Sequence, residues 1–99
     1  MDEQLSYPDQ SADPSDSNIF LSVDLFDELM TTLARAYSQL CNIELKKRKP
    51  DTELFENYTQ RHHEILLLKE SFPINAVSER EKVIESYSLE LKKIRRMLP

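Results

Sequence analysis

Glycine is absent from all 99 residues of the chain. Glycine is the residue that tight β-hairpins, phosphate-cradling loops and close backbone approach to a cofactor most often need. Phosphate-loop and dinucleotide fingerprints are therefore excluded, and no cofactor is expected. Cysteine is nearly absent too. The single Cys41 cannot form an intrachain disulfide or a zinc cluster built on thiolates, which fits a reducing compartment. No apolar run approaches the roughly 18 residues needed to cross a bilayer, and no basic-then-apolar leader opens the sequence. The chain is therefore expected in the cytoplasm, or in the nucleus if the source is eukaryotic, with no membrane partner expected. A domain this short also has little surplus core with which to support a strained active site.

Positive charge is missing from the first 18 residues, which carry Asp2, Glu3, Asp9, Asp13 and Asp16. The rest of the chain then holds 13 acidic and 13 basic side chains, so the net charge of −5 belongs to the N-terminal segment. Pro8, Pro14 and a Ser/Asp-rich run with few large apolar groups cannot offset the entropy of ordering. Residues 1–17 are expected to be a disordered acidic tail, and residues 18–99 a single helical domain.

Leu, Glu, Lys, Arg and Ile dominate that domain, a mixture that favours helix. Three helices are predicted, over about 22–48, 52–71 and 78–98. In the first, Phe26, Leu29, Leu33, Ala36, Leu40 and Ile43 alternate steps of three and four and share one stripe. Asp24, Asp27 and Glu28 sit in its early turns, and the cluster Lys46 to Lys49 closes it ahead of Pro50. The second starts with Asp51 or Thr52 as N-cap and carries a broad apolar sector: Leu54, Phe55, Tyr58, His62, Ile65, Leu66, Leu68 and Phe72, with Leu67 beside it. Four consecutive apolar residues, 65–68, cover about 300° of a helix, more than neighbours in a thin bundle readily hide. The third opens with a capping box, Ser78-x-x-Glu81, and repeats Ile84, Tyr87, Leu91, Ile94 and Leu98 at heptad spacing. A short connection over residues 72–77 predicts an antiparallel hairpin of the second and third helices. The fold class is all-α: an elongated three-helix antiparallel bundle or helical hairpin.

Chemistry-bearing constellations are sparse. His62-His63-Glu64 cannot chelate one ion, because adjacent helical residues point about 100° apart, and an HExxH motif would need histidine where Leu67 stands. No metal site is expected. The carboxylates read as solvated helix faces, with Glu44 and Arg48 an attractive i,i+4 pair and Glu81 and Glu85 a repulsive one. Cys41, beside Leu40, reads as packing and not as a nucleophile. No catalytic residue is assigned. Two basic clusters stand out: Lys46, Lys47, Arg48 and Lys49, and Lys92, Lys93, Arg95 and Arg96. In an up-down-up chain they share one pole, a candidate contact for nucleic acid or an acidic protein.

From about residue 51 to 97, the arrangement Leu54-Phe55-Glu56, Ile65-Leu66-Leu67-Leu68, Pro73, Ser78-Glu79-Arg80-Glu81, Leu91 and Ile94 resembles the small helical export chaperones of flagellar and type III secretion systems, those of the FliT kind. The resemblance implies a cytosolic chaperone or regulator that shields an apolar helix of a client. The expected function is a non-enzymatic protein–protein interaction module, a chaperone, antiactivator, inhibitor or adaptor. It would bury Tyr58, Ile65, Leu66, Leu67 and Phe72 against a helical partner or its own copy. The alternative is a nucleic-acid-associated or nuclear-complex subunit that uses the basic pole.

Overall fold

The computed structural model describes the backbone of residues 14–99 and the side chains of residues 22–99. It is an all-α three-helix bundle of α1 (Pro14–Leu45), α2 (Thr52–Ser71) and α3 (Val77–Met97), with no strand among the described residues. Of the expected acidic tail, residues 1–13 lie outside the described residues, whereas residues 14–17 are helical.

Helix α1 thus begins before the expected start, after Ser22 or near Asn18. Pro14 is its first residue. Proline suits that position because its missing N–H would have no partner in the first turn and its φ is preset for helix. The far end arrives earlier than expected, at Leu45. Lys46 N donates to the carbonyls of both Asn42 (3.2 Å) and Ile43 (3.3 Å), and Lys47 N to that of Glu44 (3.2 Å), so the last turn tightens and stops. Lys46 to Lys49 lie beyond the helix, and its last turn holds no basic residue. Arg48 is accordingly not one helical turn from Glu44, which pairs instead with Lys47 at 2.8 Å.

The bounds of α2 agree with those read from the sequence. Asp51 is extended (φ −84°, ψ 103°) and its Oδ1 accepts from Leu54 N at 3.1 Å. Its own N–H donates to Glu44 Oε2 at 2.8 Å, so one carboxylate at the end of α1 fixes the cap of α2. Phe72 is again extended, as a residue before proline prefers, and α2 ends at Ser71.

The capping box of α3 does not form. Ala76 occupies the N-cap without a side-chain hydrogen bond, and Ser78 already lies inside the first turn. Arg80 holds this corner. Its Nη1 donates to Ser22 Oγ at 3.0 Å, and its Nη2 donates to the carbonyls of Pro73 (2.8 Å) and Ile74. Its guanidinium carbon lies 5.5 Å from the ring centroid of Phe72.

Packing contacts fix the course of the chain as up, down, up. Phe26 meets Phe72 (ring centroids 4.9 Å apart) and Tyr37 meets Tyr58 (6.1 Å), so α1 and α2 are antiparallel. Ser22 meets Arg80 and Tyr37 meets Glu90, so α1 and α3 are parallel. Helix α1 is the shared element: both other helices pack on it, whereas no Cα of α2 comes within 8 Å of one of α3. The expected α2–α3 hairpin is antiparallel in direction but meets only through long side chains. Most of the core is consequently α1's. Phe26, Met30, Leu33, Ala34, Ala36, Tyr37 and Leu40 are buried there, against Ile65 of α2 and Leu91 and Ile94 of α3.

Candidate functional site

The consecutive leucines of α2 are split by the fold. Ile65 is wholly buried and Leu68 packs against the core, while Leu66 and Leu67 face outward at 36% and 55% exposure. Tyr58 and Phe72 are half-buried, each against an aromatic ring of α1. Of the five residues proposed for a partner face, Ile65, Tyr58 and Phe72 therefore belong to the internal packing, because α1 offers α2 a wide apolar seat. Leu66 and Leu67 remain on the surface.

All eight residues of the basic pole are exposed. The parallel course of α1 and α3 brings the clusters to one end, where Arg95, Leu98 and Pro99 line a hollow with Gln39, Asn42 and Ile43. Acidic side chains share that end. Glu44, only 3% exposed, ties Lys47, and Asp51, Glu53 and Glu56 open α2 beside it.

Two open grooves run along α3. One lies in the α1/α3 seam, where Leu25, Glu28, Leu29 and Thr32 face Ile84, Ser88, Leu91 and Arg95. It shares Arg95 with the hollow at the pole. The other is bounded by Tyr37, Leu89, Lys93, Ile94 and Met97. Leu25, Leu89 and Met97 are each more than half exposed.

A polar cluster joins the three helices. Arg61 Nε donates to Glu90 Oε2 at 2.9 Å and its Nη2 to Glu90 Oε1 at 2.6 Å, a two-pronged pair. Tyr37 Oη donates to the same carboxylate, and Tyr87 carries the guanidinium 4.8 Å from its ring centroid. The bond from Arg61, followed by that from Tyr37, holds the Glu90 carboxyl below its usual range. Burial first, then the Glu90 carboxylate, pushes the Tyr37 phenol far above its own. Both shifts take the pKa further from pH 7, opposite to what proton transfer near that pH requires. The cluster fastens helices. Sequence reading missed it because Glu90 stands beside the apolar stripe of α3 rather than on it. Arg80 left a signal: it lies four residues before Ile84, on the stripe itself, where a charge is out of place.

Among the described residues no group of three or more His, Cys, Asp and Glu side chains is placed to hold a metal ion. Cys41 Sγ lies 3.5 Å from Thr59 Oγ1. That hydroxyl already donates to the Phe55 carbonyl, so the thiol is the donor in this contact. No helix of the described residues is long and apolar enough to cross a membrane. Compared with protein-family models, with curated proteins and with solved structures, the chain gives no match.

Proposed function

We propose that this chain is a non-enzymatic interaction module, a chaperone, antiactivator, inhibitor or adaptor, that works by covering an apolar helical face of a partner protein or of its own copy. The observation that carries this reading is the pair Leu66 and Leu67, exposed side by side on α2 although Ile65 and Leu68 already serve the core. Burial of one such side chain stabilises by roughly 1.5–3 kcal/mol, which a covering surface would recover. Leu25, Leu89 and Met97 in the open grooves add to the apolar surface left in water. The resemblance to secretion chaperones points the same way.

The test is to replace Leu66 and Leu67 singly with lysine and to follow folding by circular dichroism and complex mass by light scattering. Both variants should keep the fold, and at least one should lose its self-association or its partner. Unchanged association in both would sink the reading. Ile65→Lys, in contrast, should unfold the domain, since it forces a charge into a fully buried site.

The gathering of both basic clusters at one pole supports a second reading, contact with nucleic acid. Binding that falls steeply with salt would favour it, and no binding at low salt would remove it.

A further inference from the structure

The outer face of α3 carries a charge pattern that is reversed about its own midpoint. Glu81, Glu85, Ser88, Lys92 and Arg95 succeed one another at steps of four, three, four and three, which places them on a single stripe. The two glutamates, Lys92 and Arg95 are exposed, and Ser88 is half-buried. Glu81 precedes Ser88 by seven residues and Arg95 comes seven after it, while Glu85 and Lys92 stand three before and four after. The stripe borders the α1/α3 groove, whose floor includes Ile84 and Leu91. On the opposite wall, Glu28 of α1 lines the groove together with Leu25, Leu29 and Thr32.

The geometry points to a second copy of this chain as the occupant of the α1/α3 groove, the two α3 helices lying antiparallel across a two-fold axis near Ser88. This goes beyond the reading above, because the contact uses the α1/α3 groove and does not depend on Leu66 and Leu67 of α2. An isologous interface must be self-complementary, so every residue on one side of the axis meets its counterpart from the other side. Antiparallel apposition sets Glu81 and Glu85 of one copy against Arg95 and Lys92 of the other, twice. Parallel apposition would set like charge on like along the whole stripe, which is unfavourable. Ser88 at the crossing is small enough for two helices to approach closely. The half-buried Ile84 of each copy would then be covered, and the aliphatic stem of the partner's Arg95 would lie over Leu25.

The experiment is sedimentation equilibrium of the full chain over a range of concentration and salt, with two charge-reversed variants. Wild type should associate reversibly to a dimer, more weakly at high salt. Glu81→Lys/Glu85→Lys makes the stripe wholly basic and Lys92→Glu/Arg95→Glu makes it wholly acidic. Each alone should associate less tightly than wild type by on the order of tenfold or more, and an equimolar mixture should form a 1:1 heterodimer. Circular dichroism checks that both remain folded. If reversal lowers helicity, Glu81→Gln/Glu85→Gln removes charge without reversing it and should abolish most of the salt dependence.

A monomeric wild type at every concentration overturns the pairing, as does a mixture of folded variants that stays monomeric. Association untouched by both reversals but lost in Leu67→Lys would also overturn it, while the interaction reading stood. If wild type is monomeric and neither lysine variant of α2 releases any bound protein, both fall.

Discussion

Arg80 is 2% exposed, the largest fully buried side chain in the described core. An ionised group taken from water is tolerated only when its donors are satisfied, and here they meet a hydroxyl of α1 and two carbonyls of the α2–α3 connection. Arg80→Met keeps the volume but leaves those acceptors without their donor. A loss of about 2–3 kcal/mol is expected in chemical denaturation, since bonds to a charged donor contribute roughly 1.5–3 kcal/mol and the loop carbonyls can partly return to water. Arg80→Lys should lie between that variant and wild type, because an ammonium keeps the charge but cannot reproduce the planar fork. Glu90 yields a pH prediction. Its folded pKa lies below the ordinary value of 4.5, so its contribution is present above that pH and disappears as pH falls through the folded value. The Tyr37 phenol is shifted upward, so its contribution is present below pH 10.0 and declines at higher pH. Melting midpoints should therefore drop on both sides of that window. Glu90→Gln should flatten the acid limb, and Tyr37→Phe the alkaline one. An acid limb identical in Glu90→Gln and wild type would remove the carboxylate from the explanation.

At the scale of elements, the two predicted helix starts had opposite fates. Asp51 comes directly after Pro50, which ends any earlier helix by local geometry alone, so that cap was legible. Asp51→Ala should cost about 1 kcal/mol and lower the melting midpoint by several degrees, as in other domains of this size. Ser78 carries an equally good local pattern, yet Arg80 pulls the connection toward Ser22 and the helix begins one residue earlier. Ser78→Ala should accordingly lie within about 0.5 kcal/mol of wild type, the range of an exposed substitution. Equal effects at the two sites would mean that the capping of α3 is wrongly placed. The first helix was harder to read. Pro14 looks like a breaker in sequence, although proline is at home in the first position of a helix. The stripe from Phe26 to Ile43 was visible, but Met30, Ala34 and Tyr37 lie beside it and are buried because α1 has neighbours on two sides. The crowded apolar residues of α2 suggested a face that its neighbours in the bundle could not fully hide. Which of them reach a neighbour depends on where the third helix lies, and no local pattern records that.

For the whole molecule, the exposed leucines stand on α2 and the bipolar stripe on α3, and that stripe runs into the basic pole through Lys92 and Arg95. The pole was foreseeable from the up-down-up course, and the faces open to a partner were not, because exposure is a property of the assembled bundle. Helix α1 stands between two outer helices that share no close backbone contact with one another. Their apolar packing on α1 is therefore largely separate, and the Arg61–Glu90 pair is what couples them. Ile65→Val on α2 and Ile94→Val on α3, which pack on α1 from different helices, should sum to within about 0.5 kcal/mol in a double variant. Arg61→Ala and Glu90→Ala, which meet directly, should depart from additivity by roughly 0.5–3 kcal/mol. The same layout sets the order in which the native state opens. Once the Arg61–Glu90 pair opens, either outer helix can lift while the other stays docked, so backbone amides of α2 and α3 should exchange with solvent through two distinct partial openings. Those of α1 around Met30 and Leu33 should exchange only when the whole chain unfolds.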